Sequence, residues 1–292
     1  MQSSQESLRG LHNNHPREFE NFVYTYPVIS RRSGGVSIGI NLNLDKACNF
    51  DCPYCQVDRT TIKSKRVVNV IEIKNELAML LASFDSSGVC RLEKFNNISD
   101  SAKQLKDIAI SGDGESTMDP HFAEVCEMLA EFQKSFSNLE FKLILITNST
   151  LLDRPQVQKG IDSLLSKNGE VWAKLDAGTE DWYQRINVSK ISLDRIEENL
   201  IALGKKHSFK IQSLFCALDG EPPSENEINA YIKRLNRIKN SGSIIEEVQI
   251  HTLARKPAED FCTPVTSTLL YSIKIKIENE VGILAQVYGV EN

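Results

Sequence analysis

Three cysteines, Cys48, Cys52 and Cys55, fall in the run Lys46-Ala-Cys-Asn-Phe-Asp-Cys-Pro-Tyr-Cys-Gln56. Three thiolates on one short loop can each take one iron of a cubane 4Fe-4S cluster, which leaves the fourth iron open to a small molecule. Structural zinc is the alternative, but it wants four closed ligands, usually with a second Cys-x2-Cys or His pair further along. No second pair is present: Cys90, Cys126, Cys216 and Cys262 are isolated, and the nearest histidine after the motif is His121. The unmatched third cysteine suits a cluster better than zinc, and an auxiliary cluster is disfavoured on the same ground. Structural disulfides are not expected, because Met1 to Asn14 is polar and lacks the apolar stretch of a secretory leader.

Elements must hold this loop. Short aliphatic or β-branched runs alternate with longer segments of helical period, the pattern of parallel βα units. Val36 to Asn41, Asp107 to Ser111, Lys142 to Thr147, Glu170 to Asp176, Phe209 to Cys216 and Glu246 to His251 read as strands. Ile71 to Phe84, Pro120 to Phe136, Arg154 to Ser166, Ser192 to Lys206 and Ser224 to Asn240 read as helices. Asp119 before Pro120 predicts an N-cap with proline at the first helical position, and Asp153 before Arg154-Pro155 predicts the same. Ser86 to Gln104 reads as a surface insertion. Ser272 to Val287, alternating through Ile273, Ile275 and Ile277 and again through Ile283, Ala285 and Val287, predicts one or two closing strands. The expected fold is α/β, a partial (βα)6 TIM-type barrel with the active site at the C-terminal ends of the strands. It divides into an N-terminal extension over 1–35, the core over 36–256 and a closing segment over 257–292.

That architecture makes a demand on the sequence: polar clusters should follow strands. The cysteine loop follows the first strand, Ser111-Gly-Asp-Gly-Glu115 the second and Thr147-Asn-Ser-Thr150 the third. Lys174-Leu-Asp176-Ala-Gly178-Thr179 ends the fourth and His251-Thr-Leu-Ala-Arg255 the sixth. Gly112 and Gly114 let the backbone turn and approach a ligand, and Glu115 presents a carboxylate. Strand alternation sets Trp172, Lys174 and Asp176 on one face, where an inward lysine needs an acid beside it. Lys174 and Asp176 are therefore the candidate catalytic residues, with a structural ion pair as the alternative. Gln212, Gln249 and Arg255 would complete a polar pocket. Arg31 and Arg32 could clamp a phosphate or carboxylate, and Cys216 could supply a hydrogen atom, although paired surface arginines usually face solvent and a lone buried cysteine usually packs.

The cysteine run, with aromatic Tyr54 before the last cysteine, resembles the radical S-adenosylmethionine (SAM) superfamily signature. Ser37-Ile-Gly-Ile-Asn-Leu-Asn43, Cys52-Pro-Tyr-Cys-Gln56 and Trp172-Ala-Lys-Leu-Asp176-Ala-Gly look, within it, like a group similar to wyosine-type tRNA-modifying synthases. The resemblance implies a 4Fe-4S cluster on Cys48, Cys52 and Cys55 that cleaves SAM reductively to a 5′-deoxyadenosyl radical. Gly112, Gly114 and Glu115 would hold the methionine amino group, with Ser116 where relatives often carry proline. Tyr54 would pack near the adenine, and Thr147 and Asn148 would bond the ribose or carboxylate. It also implies an electron donor such as flavodoxin or ferredoxin.

The substrate stays open between a small or nucleotide-like molecule and a tRNA base. Across 292 residues the formal net charge is −5, which argues against a surface built for polyanions. Short basic clusters such as Lys63 to Arg66 read as solvated faces. With 41% apolar residues the chain can bury a substantial core, and no apolar run is long enough to span a bilayer. The protein is expected in the cytoplasm. A reading of a different class is a non-catalytic iron-sulfur or zinc module.

Overall fold

The computed structural model describes residue 8 and residues 10–11, 17–58 and 67–289. The Lys63 to Arg66 cluster, and nearly all of the polar stretch from Met1 to Asn14, lie outside them.

The fold is α/β and is that of a partial TIM-type barrel. Its main sheet runs β1-β2-β3-β4-β5-β6-β8-β10. In chain order these strands are β1 (Thr25–Ser30), β2 (Gly35–Ile40), β3 (Leu105–Ile110), β4 (Lys142–Thr147), β5 (Gly169–Lys174), β6 (Phe209–Leu214), β8 (Ile245–His251) and β10 (Ala285–Tyr288). The short strands β7 (Cys216–Leu218) and β9 (Cys262–Pro264) form a separate two-stranded sheet. The α-helices are α1 (Val70–Leu81), α2 (Phe122–Ser135), α3 (Pro155–Leu165), α4 (Glu180–Ile186), α5 (Leu193–Gly204), α6 (Glu225–Asn240) and α7 (Ser267–Lys276). All six anticipated strands and all five anticipated helices are present.

The chain divides into two compact units. One carries β1 to β4 up to Leu145, with α1 to α3. Its β1 lies in the segment read as an extension and pairs antiparallel with β2, while β2, β3 and β4 run parallel. The buried Glu76 of α1 staples the entry to β1 by accepting the amides of Val23, Tyr24 and Thr25. Arg31 and Arg32 fall in the β1–β2 hairpin turn, at the amino end of β2. Six residues of strand, about 20 Å, separate them from the end where Asn41 and Asn43 follow, so they are misplaced for chemistry at the carboxyl end of that strand.

The other unit carries the cysteine loop, the residues after β4, and the chain from Val171 onward. Here β6 is flanked in parallel by β5 and β8, and β10 by β8. The run expected to continue to Cys216 breaks at Phe215, whose amide bonds the His251 carbonyl, and Cys216 belongs to β7.

Three further expectations are corrected. Asp119 does not cap α2: its carboxylate takes the His121 amide at 2.8 Å, and the helix begins only at Phe122. Asp153 stands two residues before α3, which opens on Pro155, and pairs instead with Arg195 at 2.5 Å. Between Ser272 and Val287 only one of the one or two expected strands forms, β10; the half before it continues α7. Thr266 caps α7 by accepting the Leu269 amide, and the buried positions Leu270, Ile273, Ile277 and Val281 recur at helical spacing while Ile275 faces solvent. β-Branching imitated a strand period that burial does not follow.

Candidate active site

Backbone hydrogen bonds hold the cysteine loop, one within it and others from the chain that returns past it. The Cys55 amide turns back to the Cys52 carbonyl at 2.9 Å, and the Asp51 amide bonds the Asn187 carbonyl at 3.0 Å. A strap of chain before β9 holds the loop from outside. The Ala258 amide bonds the Cys55 carbonyl at 2.7 Å, Glu259 bonds Pro53 at 3.1 Å, and Gln56 donates to the Arg255 carbonyl at 3.2 Å. Cys52 is buried, whereas Cys48 and Cys55 are half-buried.

β5 ends at Lys174, two residues short of the expected strand end, and Lys174 and Asp176 are still brought together, at 3.2 Å. They also meet the cysteine loop. The Tyr54 hydroxyl donates to Asp176 Oδ2 at 2.5 Å, and the Lys174 ammonium lies 4.8 Å from the centre of the Tyr54 ring. Asp176 Oδ1 accepts the Leu214 amide at 2.9 Å. Burial alone would push the Asp176 carboxyl up and the Lys174 ammonium down. Their mutual charge, with the Tyr54, Leu214 and Asn187 hydrogen bonds on the carboxylate, overrides it, so Asp176 sits below its ordinary value and Lys174 above. The pair is an ion pair and Lys174 is not a free amine. Beside it, Gln212 donates to Gln249 at 3.3 Å, both buried.

Asn187, which the sequence does not mark, is the hub of this cluster. Its amide nitrogen lies 2.9 Å from Asp176 Oδ2, 3.1 Å from Tyr54 Oη and 3.5 Å from Cys52 Sγ. A lone asparagine between two helices carries no motif, and only the return of the chain past the cysteine loop gives it a role. The turn after Asp176 is gripped from α6: Glu227 accepts the amides of Gly178 and Thr179, and the Arg234 guanidinium donates to the Gly178 carbonyl at 2.7 Å. Thr147 is buried and takes the Ser149 amide on its hydroxyl. Asn148 reaches back to the cysteine loop, donating to Asn49 Oδ1 at 2.6 Å and lying 4.0 Å from Cys48 Sγ. Cys216 is buried with its sulfur 3.0 Å from that of Cys262, so it is not isolated in space.

In the first unit, Gly112 and Gly114 follow β3, but neither has a positive φ. Their need is close approach to the chain itself. A Cβ on Gly112 would stand 2.2 Å from Asn41 Oδ1, and one on Gly114 2.0 Å from the carbonyl of Ala47, the residue before Cys48. Asp113 is held by Asn41 at 2.8 Å and by Arg17 at 2.6 Å. Glu115 is buried; its carboxylate accepts the Thr117 amide at 3.3 Å and hydroxyl at 2.5 Å. Asn43 Oδ1 and Ser116 Oγ, also buried, lack hydrogen-bond partners.

The donor set fits an iron-sulfur cluster. Burial pushes the Cys52 thiol up to about 12 against the opposing pull of Lys174, Tyr54 and Asn187, and a ligated thiol gives up its proton. An amide aimed at that sulfur is what an anionic ligand accepts. Among the described residues no three His, Cys, Asp or Glu side chains are gathered about a single metal ion. Cysteines that each take a different iron of a cubane need no such gathering.

In a partial TIM-type barrel, polar residues after the strands mark the end of the sheet at which chemistry is done. Residues 42–232 match the model of the radical SAM superfamily, and the chain belongs to it. It is 27% identical over 278 residues to a UPF0026 protein of Methanocaldococcus jannaschii, with 91% of this chain and 75% of that protein covered. It is 24% identical to a UPF0026 protein of Helicobacter pylori, of whose length it spans 65%. A TYW1 structure with a lysine-pyruvate adduct bound shares the fold at a TM-score of 0.55 and 18% identity, over 83% of this chain and 73% of that one. The protein is a radical SAM enzyme. No helix among the described residues is long and apolar enough to cross a membrane.

Proposed function

We propose that this enzyme uses a single 4Fe-4S cluster on Cys48, Cys52 and Cys55 to cleave S-adenosylmethionine and act on a small or nucleotide-like substrate at Lys174 and Asp176. Held by the three cysteines, the cluster would supply the one-electron reduction on which cleavage of SAM and removal of hydrogen from the substrate depend. The chain's own residues bind, orient and exclude water. Glu115, with the backbone at Gly112 and Gly114, is the proposed receiver of the methionine amino group, for which it would give up its bonds to Thr117. Thr147 and Asn148 are proposed for the ribose or carboxylate and the Tyr54 ring for the adenine. Lys174, a protonated ammonium, suits an anionic or strongly polar substrate group.

The observation that carries this reading is the 2.5 Å bond from Tyr54 to Asp176, which joins the cysteine loop directly to the buried polar pair. The segments 37–43, 52–56 and 172–178, which resemble wyosine-type tRNA-modifying synthases, keep tRNA as the second substrate reading. The proposed setting is the cytoplasm, with flavodoxin or ferredoxin as donor.

Anaerobic reconstitution with iron and sulfide, then incubation with SAM and dithionite, tests the proposal by 5′-deoxyadenosine formation. Wild type is expected to form it and Cys55→Ala to form none. A fully loaded, reducible wild-type cluster that forms none, with or without extracts supplying candidate substrates, would favour the inert iron-sulfur module.

A further inference from the structure

We propose that Asn187 is a positioning residue for the cluster: its side-chain amide donates to the Cys52 sulfur, raises the reduction potential of the cluster, and ties that potential to the Lys174–Asp176 pair. The inference rests on the reading of the three cysteines as cluster ligands.

The orientation of the amide is fixed by chemistry. Asp176 Oδ2, ionised in its ion pair, can only accept, so the group 2.9 Å away must be the NH2 end of Asn187. The same nitrogen lies within sulfur hydrogen-bond distance of Cys52, at 3.5 Å. Tyr54 sends its own proton to Asp176, which leaves its oxygen a second acceptor for that amide, at 3.1 Å. A protonated Cys52 instead faces the Asn187 carbonyl, 3.8 Å from its sulfur. Ligation removes the thiol proton and leaves the amide as the donor to a sulfur now carrying charge, where hydrogen bonds are stronger.

Two observations show that this placement is held against a cost. Asn187 is 1% exposed, and its Oδ1 has no partner. Val188, next in the chain, has φ 46°, the left-handed region that a β-branched residue avoids. Such strain persists where the surroundings over-determine the backbone, and it clusters at functional sites.

The electrical consequence is direct. Reduction spreads added negative charge over the sulfurs, so a donor there stabilises the reduced state more than the oxidised one. Asp176, Tyr54 and Cys52 compete for two protons on one nitrogen. A ligand that draws Asp176 away leaves the amide to the sulfur and eases reduction.

The test is an EPR-monitored redox titration of the reconstituted full chain as wild type, Asn187→Asp, Asn187→Leu and Ser213→Ala. Ser213 gives up buried bonds to the Leu175 carbonyl and Tyr231, neither of them on the cysteine loop. At the wild-type midpoint, the reduced-to-oxidised ratio is expected to fall about fivefold or more in both Asn187 variants, where tenfold corresponds to about 59 mV for one electron. Ser213→Ala should leave it unchanged. Unaltered potentials in loaded Asn187 variants, or an equal fall in Ser213→Ala, overturn the inference. Should neither Asn187 variant take up a cluster, pulsed EPR on reduced Asn148→Asp protein labelled with 15N at the asparagine side-chain amides decides. A coupling to the label supports the inference and its absence overturns it. A wild-type chain that binds no iron and sulfide fails earlier, taking the cluster reading and this inference with it.

Discussion

At the scale of residues, Asp176 and Lys174 are worth more as a pair than apart. Asp176 has a fully buried side chain and that of Lys174 is only 17% exposed, so Lys174→Met would leave a carboxylate uncompensated in the interior, at about 3–5 kcal/mol. The double variant Lys174→Met, Asp176→Asn should recover much of that loss, as urea unfolding of the cluster-free protein would measure. The pH dependence follows from the shift directions. Asp176, held below its ordinary value, contributes stability that is lost as pH falls through its lowered pKa. Lys174, held above, contributes stability that is lost as pH rises through its raised pKa. Wild type minus double variant should therefore be flat across neutral pH and decline only toward both extremes, and a slope near pH 7 would contradict the ion pair. Lys174 and Asp176 were legible as partners because alternation along one strand is a local rule. Asn187 was not, since two of its three acceptors, Tyr54 and Cys52, lie 133 and 135 residues away in sequence.

Elements decide how firmly the loop is held. The strap before β9 uses the amides of Ala258 and Glu259, so Ala258→Pro deletes the 2.7 Å bond to the Cys55 carbonyl. Its expected cost is about 1 kcal/mol in the hydrogen bond alone, and the sharper readout is faster loss of iron to a chelator at unchanged helix content. Equal loss rates would mean the strap does not hold the loop. Val188 stands just past α4, where glycine is usual. Val188→Gly should relieve about 1–2 kcal/mol of left-handed strain, less about 0.5–1 kcal/mol of added chain entropy, for a small net gain in Tm. The helices from α1 to α6 that carry long apolar faces were readable from periodicity. Short α4 was not, being 7 residues long. α7 was misread because Ile273, Ile275 and Ile277 satisfy the strand period while only burial distinguishes the helix.

For the molecule as a whole, the formal charge of −5 bears on the substrate. A chain of this sign should bind bulk tRNA weakly at physiological salt, and what it retains at 50 mM salt should be lost by 200 mM. Salt-resistant retention in a filter assay, or RNA carried through purification, would move the tRNA reading ahead of the small-molecule one.

By itself the sequence determined the parts that depend on neighbours along the chain: the cysteine spacing, the alternation of βα units, and the polar residues after each strand. Spacing on one loop is a covalent fact, and amphipathic period follows from local geometry. Tertiary structure alone decided that Gly114 is demanded by the Ala47 carbonyl. It also decided that Asn187 closes on Cys52, Tyr54 and Asp176. These are distances between atoms up to 135 residues apart, fixed by how strands pair and loops return, and no local rule encodes them.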